Sequence, residues 1–157
     1  KSSRTRGGGC VLDGLHFENI RMEGVGTPFV INLYYRFSPD GDPDYIRARD
    51  IREVGDVPYM GSFSYKNITC RGCEVMAGYF DGLSERPIAR IAMENVSFHF
   101  SPTAKAGYPA SVYDPHPVCR AGLYFDNVKE ISLTGVTLDG VAGEEILLKQ
   151  HGSFKRS

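Results

Sequence analysis

Among the residue types able to do chemistry, cysteine has the most suggestive spacing, because Cys70-Arg71-Gly72-Cys73 sets two thiols at the interval of a redox dithiol or half a zinc site. A structural zinc needs four ligands. The chain has no second Cys pair, and His99 and His116 stand at irregular distances, so the competing reading is two buried small side chains beside a tight turn. Glu144-Glu145 and the series Asp40, Asp42 and Asp44 lie in polar, turn-rich sequence and read as solvated loops, not as acid/base pairs. The Asp series also lacks the calcium loop's terminal Glu. No Ser- or Cys-centred elbow accompanies a plausible base, which excludes a nucleophile triad. His16 falls on the expected exposed face of a strand. Lys1, Arg4 and Arg6 concentrate positive charge at a glycine-rich amino end, where they either meet an acidic ligand or lie in solvent.

The elements that must position these residues show in a repeated phrase: apolar, variable, apolar, polar, then Asn followed by Ile or Val. Leu15 to Ile20, Phe63 to Ile68, Ile91 to Val96 and Leu123 to Val128 carry it, and Ile131 to Val136 carries it with Gly135 in place of Asn. Such alternation predicts half-buried strands. A second phrase, Ala77 to Gly82, resembles Ala121 to Asp126, so two strands recur per unit. Aligned on Asn19, Asn67, Asn95 and Gly135, the units resemble solenoid repeats with insertions. Asn tolerates left-handed backbone and can bond neighbouring main chain at a corner. The alternative is that Asn marks ordinary turns of an antiparallel sandwich. Helix is scarce, its candidates being Asp44 to Val54 and a short turn near 143–145. Long loops are expected over about 36–61 and 101–117, where they would line one face of the repeats.

Composition narrows the function classes. In 157 residues, 24% charged and 41% hydrophobic with a formal net charge of −1, the chain has the profile of a folded soluble protein. That balance argues against nucleic acid as a partner. No stretch approaches the roughly 20 apolar residues that span a bilayer, so no membrane partner is expected. Four cysteines are too few for a disulfide scaffold and favour a reduced compartment, while localisation stays open between cytoplasmic and secreted or periplasmic. No cofactor and no metal is expected.

Lys1 to Gly9, Leu15 to Met22 and Thr27-Pro28-Phe29-Val30-Ile31-Asn32-Leu33-Tyr34-Tyr35 together resemble glycoside hydrolase family 28, in its bacterial polygalacturonase branch. There an Arg-x-Lys pair precedes a stretch like Lys-Thr-x-Arg-Gly-Arg-Gly-Gly, and an Ile-Asn-x-Tyr-Tyr segment follows one strand later. Lys1 matches the Lys of the pair; Arg6, Gly7 and Gly8 match the end of the stretch; Thr5 departs by replacing a Gly. The likeness continues through Phe63 to Thr69 and Gly122 to Glu145. It implies the carboxy-terminal part of a right-handed parallel β-helix, occupying residues 1–157, in an enzyme that hydrolyses α-1,4-galacturonosyl links of pectin by inversion. Inversion uses a carboxylic acid and a carboxylate base about 6.5–9.5 Å apart.

The resemblance implies substrate-binding roles for Lys1, Arg6 and Tyr35. An ammonium suits the carboxylate of each galacturonate, and an aromatic face suits a sugar ring. Tyr34 must point opposite to Tyr35 on a regular strand and would share a face with Asn32. The family's catalytic Asn-Thr-Asp, Asp-Asp and Gly-His-Gly motifs occur nowhere in the chain and are expected upstream of Lys1. The chain alone is therefore expected to be inactive, with an acidic polysaccharide and the upstream part of the same β-helix as partners. A non-catalytic β-solenoid that binds polyanionic glycan or serves as a spacer is the alternative.

Overall fold

The computed structural model describes residues 11–33, 58–112 and 115–157, and among these it is built from β-strands without a helix. The strands lie in three sheets. Val11–Leu12 (β1) pairs with Tyr59–Met60 (β4), which falls inside the stretch read as a loop over about 36–61. The largest sheet runs His151–Arg156 (β12), Val128–Thr134 (β9), Ile88–Phe100 (β7), Ser62–Cys73 (β5) and Leu15–Glu23 (β2), with Thr137–Asp139 (β10) also on β7. A four-stranded sheet runs Ile146–Leu148 (β11), Ala121–Asp126 (β8), Met76–Asp81 (β6) and Phe29–Asn32 (β3).

All pairings between these strands are parallel. The single antiparallel contact among the described residues is the bridge between Gly107 and Val118. Apart from β9 and β10, which both lie on β7, strands adjacent in sequence belong to different sheets, and pairing runs between equivalent strands of different repeats. This excludes the antiparallel sandwich.

The register explains the repeated Asn. Glu18 faces Lys66 and Lys66 faces Glu94, which brings Asn19, Asn67 and Asn95 into one column, and the pairing of Glu94 with Thr134 brings Gly135 to its end. All four have left-handed φ, of 58°, 52°, 54° and 61°. A single left-handed residue resets the period of two. In β5, Phe63 and Tyr65 are buried, Lys66 and Asn67 are both exposed, and Ile68 and Cys70 are buried again. Each long strand thus sends side chains inward on both sides of a bend.

Inward positions form columns. Ile68, Val96 and Val136 make one, Cys70, Phe98 and Leu138 another, and Phe80 lies on Phe125 with centroids 5.0 Å apart and planes 8° from parallel. A fully buried aliphatic or aromatic side chain contributes about 1.5–3 kcal/mol, so these columns hold the repeats together. On the outer face of the large sheet, Lys66 pairs with Glu94 at 2.9 Å, Arg90 with Glu130 at 3.3 Å and His99 with Asp139 at 2.9 Å.

Asn127 differs from its phrase-mates. It ends the four-stranded sheet, with a φ of 52°, and donates through Nδ2 to the Gly82 carbonyl at 3.3 Å, making a second kind of corner.

Candidate functional site

Polar groups converge at the carboxyl ends of β3, β6 and β8. The Tyr-Phe-Asp in β6 and in β8 has alternating directions: Phe80 and Phe125 enter the core, and Tyr79, Asp81, Tyr124 and Asp126 take the opposite face. In register, Tyr79 meets Tyr124, and Asp81 lies between Asn32 and Asp126. The tyrosine rings stack with centroids 4.8 Å apart and planes 5° from parallel.

Each phenol donates to the aspartate two residues on, Tyr79 to Asp81 Oδ2 at 2.9 Å and Tyr124 to Asp126 Oδ2 at 3.2 Å. Asp126 Oδ1 also accepts the Gln150 backbone N–H at 3.2 Å. Both carboxyl groups are buried, Asp81 at 1% and Asp126 at 8% exposure. The two acids sit on neighbouring parallel strands whose backbones lie about 4.8 Å apart, and each carboxylate is engaged by the tyrosine two residues before it. Their geometry suits them to orient chain and hydroxyl donors.

The stretch between β7 and β8 folds back towards this row. Ser101 N donates to the Cys73 carbonyl at 2.8 Å, Gly107 and Val118 exchange backbone bonds of 2.9 Å, and Ala110 N donates to Thr27 Oγ1 at 3.3 Å. Asn32 Nδ2 then donates to the Ser111 carbonyl at 2.6 Å. This arch stands beside the Asn32 end of the row and carries a largely exposed Tyr108. It is a built wall at the edge of the polar face.

Lys1, Arg6 and Tyr35, the expected substrate-binding residues, lie outside the described residues, as do Arg4, Tyr34 and the Asp40, Asp42 and Asp44 series. Tyr35 follows Leu33 by two residues, and Leu33 N donates to the Asp81 carbonyl at 3.2 Å. Asn32 lies beside Asp81 on the polar face. His16 is exposed and hydrogen-bonds Ser64 through Nδ1. Glu145 pairs with Arg156, and Glu144 is exposed. Cys70 and Cys73 face the core, His99 faces outward to Asp139, and His116 is exposed on the arch, so these four do not converge. Burial pushes the Tyr65 phenol well above its usual range and keeps it neutral.

Comparison with protein-family models, with curated proteins and with solved structures finds no match to this chain. The Tyr-Asp row is what sequence reasoning missed. Its signal was present in the likeness of Ala77–Gly82 to Ala121–Asp126: the shared Ala-Gly is one residue out of register, whereas the shared Tyr-Phe-Asp pairs residue for residue.

Proposed function

We propose that this chain supplies carboxy-terminal coils of a right-handed parallel β-helix in a glycosidase that cleaves α-1,4-galacturonosyl links of pectin by inversion, and that the catalytic acid and base lie in upstream coils. The observation that supports the reading is the in-register parallel pairing of repeated strands, with left-handed Asn at equivalent positions. Within this reading Lys1 and Arg6 neutralise substrate carboxylates and Tyr35 packs on a sugar ring. The buried pair Asp81 and Asp126 does not replace the absent motifs, because neither acid is open to substrate.

The test joins two measurements. The chain alone, given polygalacturonate, is expected to release no reducing ends, while oligogalacturonides bind it and are displaced by salt; turnover by the pure chain would overturn the division of labour. Binding lost in Lys1→Ala and Arg6→Ala supports the roles proposed for these residues. A longer protein whose upstream coils lack the Asp motifs would instead favour a non-catalytic solenoid that binds polyanionic glycan.

A further inference from the structure

Cys70 and Cys73 are three residues apart, and on a regular strand such positions point to opposite faces. Here they do not. The pairing of β5 with β7 slips between Arg71 and Cys73, and Gly72 holds a left-handed φ of 66° at the slip, so Cys70 and Cys73 both turn inward with no exposed surface. The bulge reverses the phase of the strand and makes neighbours of the two thiols. Cys119 is engaged elsewhere, its thiol donating to the Ala104 carbonyl at 3.5 Å.

We infer that Cys70 and Cys73 form a thiol–disulfide redox pair, closed to an intramolecular disulfide by a small-molecule disulfide such as oxidised glutathione and reopened by a thiol. The Cys73 thiolate attacks one sulfur of the oxidant, whose S–S bond breaks and releases one glutathione. The Cys70 thiolate then attacks the Cys73 sulfur of the mixed disulfide and releases the second. The protein pair loses two electrons and two protons, which the oxidant takes up as two thiols.

The two sulfurs are set for these unequal parts. The Cys70 thiol shares its hydrogen with Cys73, which holds Cys73 below its ordinary thiol value, and the same contact together with burial pushes Cys70 up. The lower thiol is the first nucleophile. Both sulfurs are covered in the closed fold, so the oxidant reaches them when the bulge opens; Gly72 there carries no side chain, and the flanking Arg71 and Glu74 are exposed. The closed form would staple a junction of the fold. Gly24 N donates to the Arg71 carbonyl at 2.9 Å, and Ser101 N to the Cys73 carbonyl at 2.8 Å, so this turn binds the end of β2 and the root of the arch.

The experiment uses the unaltered chain. It is incubated folded with oxidised glutathione, alkylated under denaturing conditions and mapped by peptide mass. The expected product is one peptide containing Cys70 and Cys73, lighter by two hydrogens than its dithiol form, unalkylated, and restored by dithiothreitol. The oxidised chain should melt about 2–6 °C higher than the reduced one, a shift that Cys70→Ala and Cys73→Ala abolish. Recovery of Cys70 and Cys73 as free thiols, or as two separate glutathione adducts, from a chain still folded by circular dichroism would overturn the inference, whatever the variants do.

Discussion

Asn67 donates through Nδ2 to Oδ1 of Asn19 on the next strand, 3.2 Å away. Asn95 repeats the contact onto Asn67 at 3.3 Å, so the amides form a ladder along the corner of the large sheet. Sequence reasoning expected these amides to bond main chain; they bond one another. Donor and acceptor on a single side chain let each Asn serve the strand on either side, and the left-handed backbone turns the amide outward to do so.

Replacing the middle residue separates the two contributions. Asn67→Ala loses both amide bonds and forces alanine into left-handed backbone, for a loss of about 2–4 kcal/mol. Asn67→Gly keeps the backbone and loses only the amide bonds, about 1–2 kcal/mol. Urea unfolding of both variants checks the order; equal losses would mean that backbone conformation contributes nothing here.

Phe125 is fully buried and stacked on Phe80. Phe125→Ala should cost about 3–5 kcal/mol, whereas Phe17→Ala, on a ring 37% exposed at the β2 edge, should cost clearly less. Thermal melts of the two variants make the comparison, and a reversal would place the core elsewhere.

Stability should fall in acid partly through Asp13. Its carboxylate accepts the backbone N–H of Ser62 at 2.7 Å and of Gly14 at 2.8 Å, bonds that hold its pKa below the ordinary value of 3.8. A group whose folded pKa is depressed contributes fully above its unfolded pKa, and the contribution disappears as pH falls through the folded value. The window therefore opens near pH 4 and extends downward. Asp13→Asn should flatten the stability profile across it, read from urea midpoints at successive pH values.

Among the described residues, the β2 end of the stack is apolar and carries no further strand. Phe17, Ile20, Met22, Pro28, Phe29 and Tyr65 help to line a hollow of about 360 Å³ there, whereas β12 at the opposite end presents mainly polar and charged side chains. An unpaired parallel edge beside exposed apolar surface invites association. The chain in isolation should self-associate at high concentration, and Phe17→Lys should reduce this. Sedimentation velocity measures both, and a monomeric parent chain would count against an exposed stack end.

The strands and the Asn column were legible because alternation and a fixed Asn reflect one local geometry, a left-handed residue between two half-buried arms. The Tyr-Asp row was harder to see. Tyr79 and Asp81 gain meaning only when parallel pairing sets Tyr124 and Asp126 beside them, and a sequence does not display its pairing partner. The same holds for the cysteines: their spacing was plain, but the bulge at Gly72 that turns both inward depends on how β5 registers against β7. Lys1, Arg6 and Tyr35 rest on resemblance alone.

The corner positions Asn19, Asn67, Asn95 and Gly135 are separated by 48, 28 and 40 residues, yet the strands that carry them keep step. Extra sequence is thus decoupled from the lattice that carries it, since doubling a flexible loop costs only about 0.6 kcal/mol. The arch between Phe100 and Ala121 is accordingly a socket: a foreign peptide could be grafted into it, provided the bonds made by Ser101, Gly107, Ala110, Ser111 and Val118 that seat it are kept.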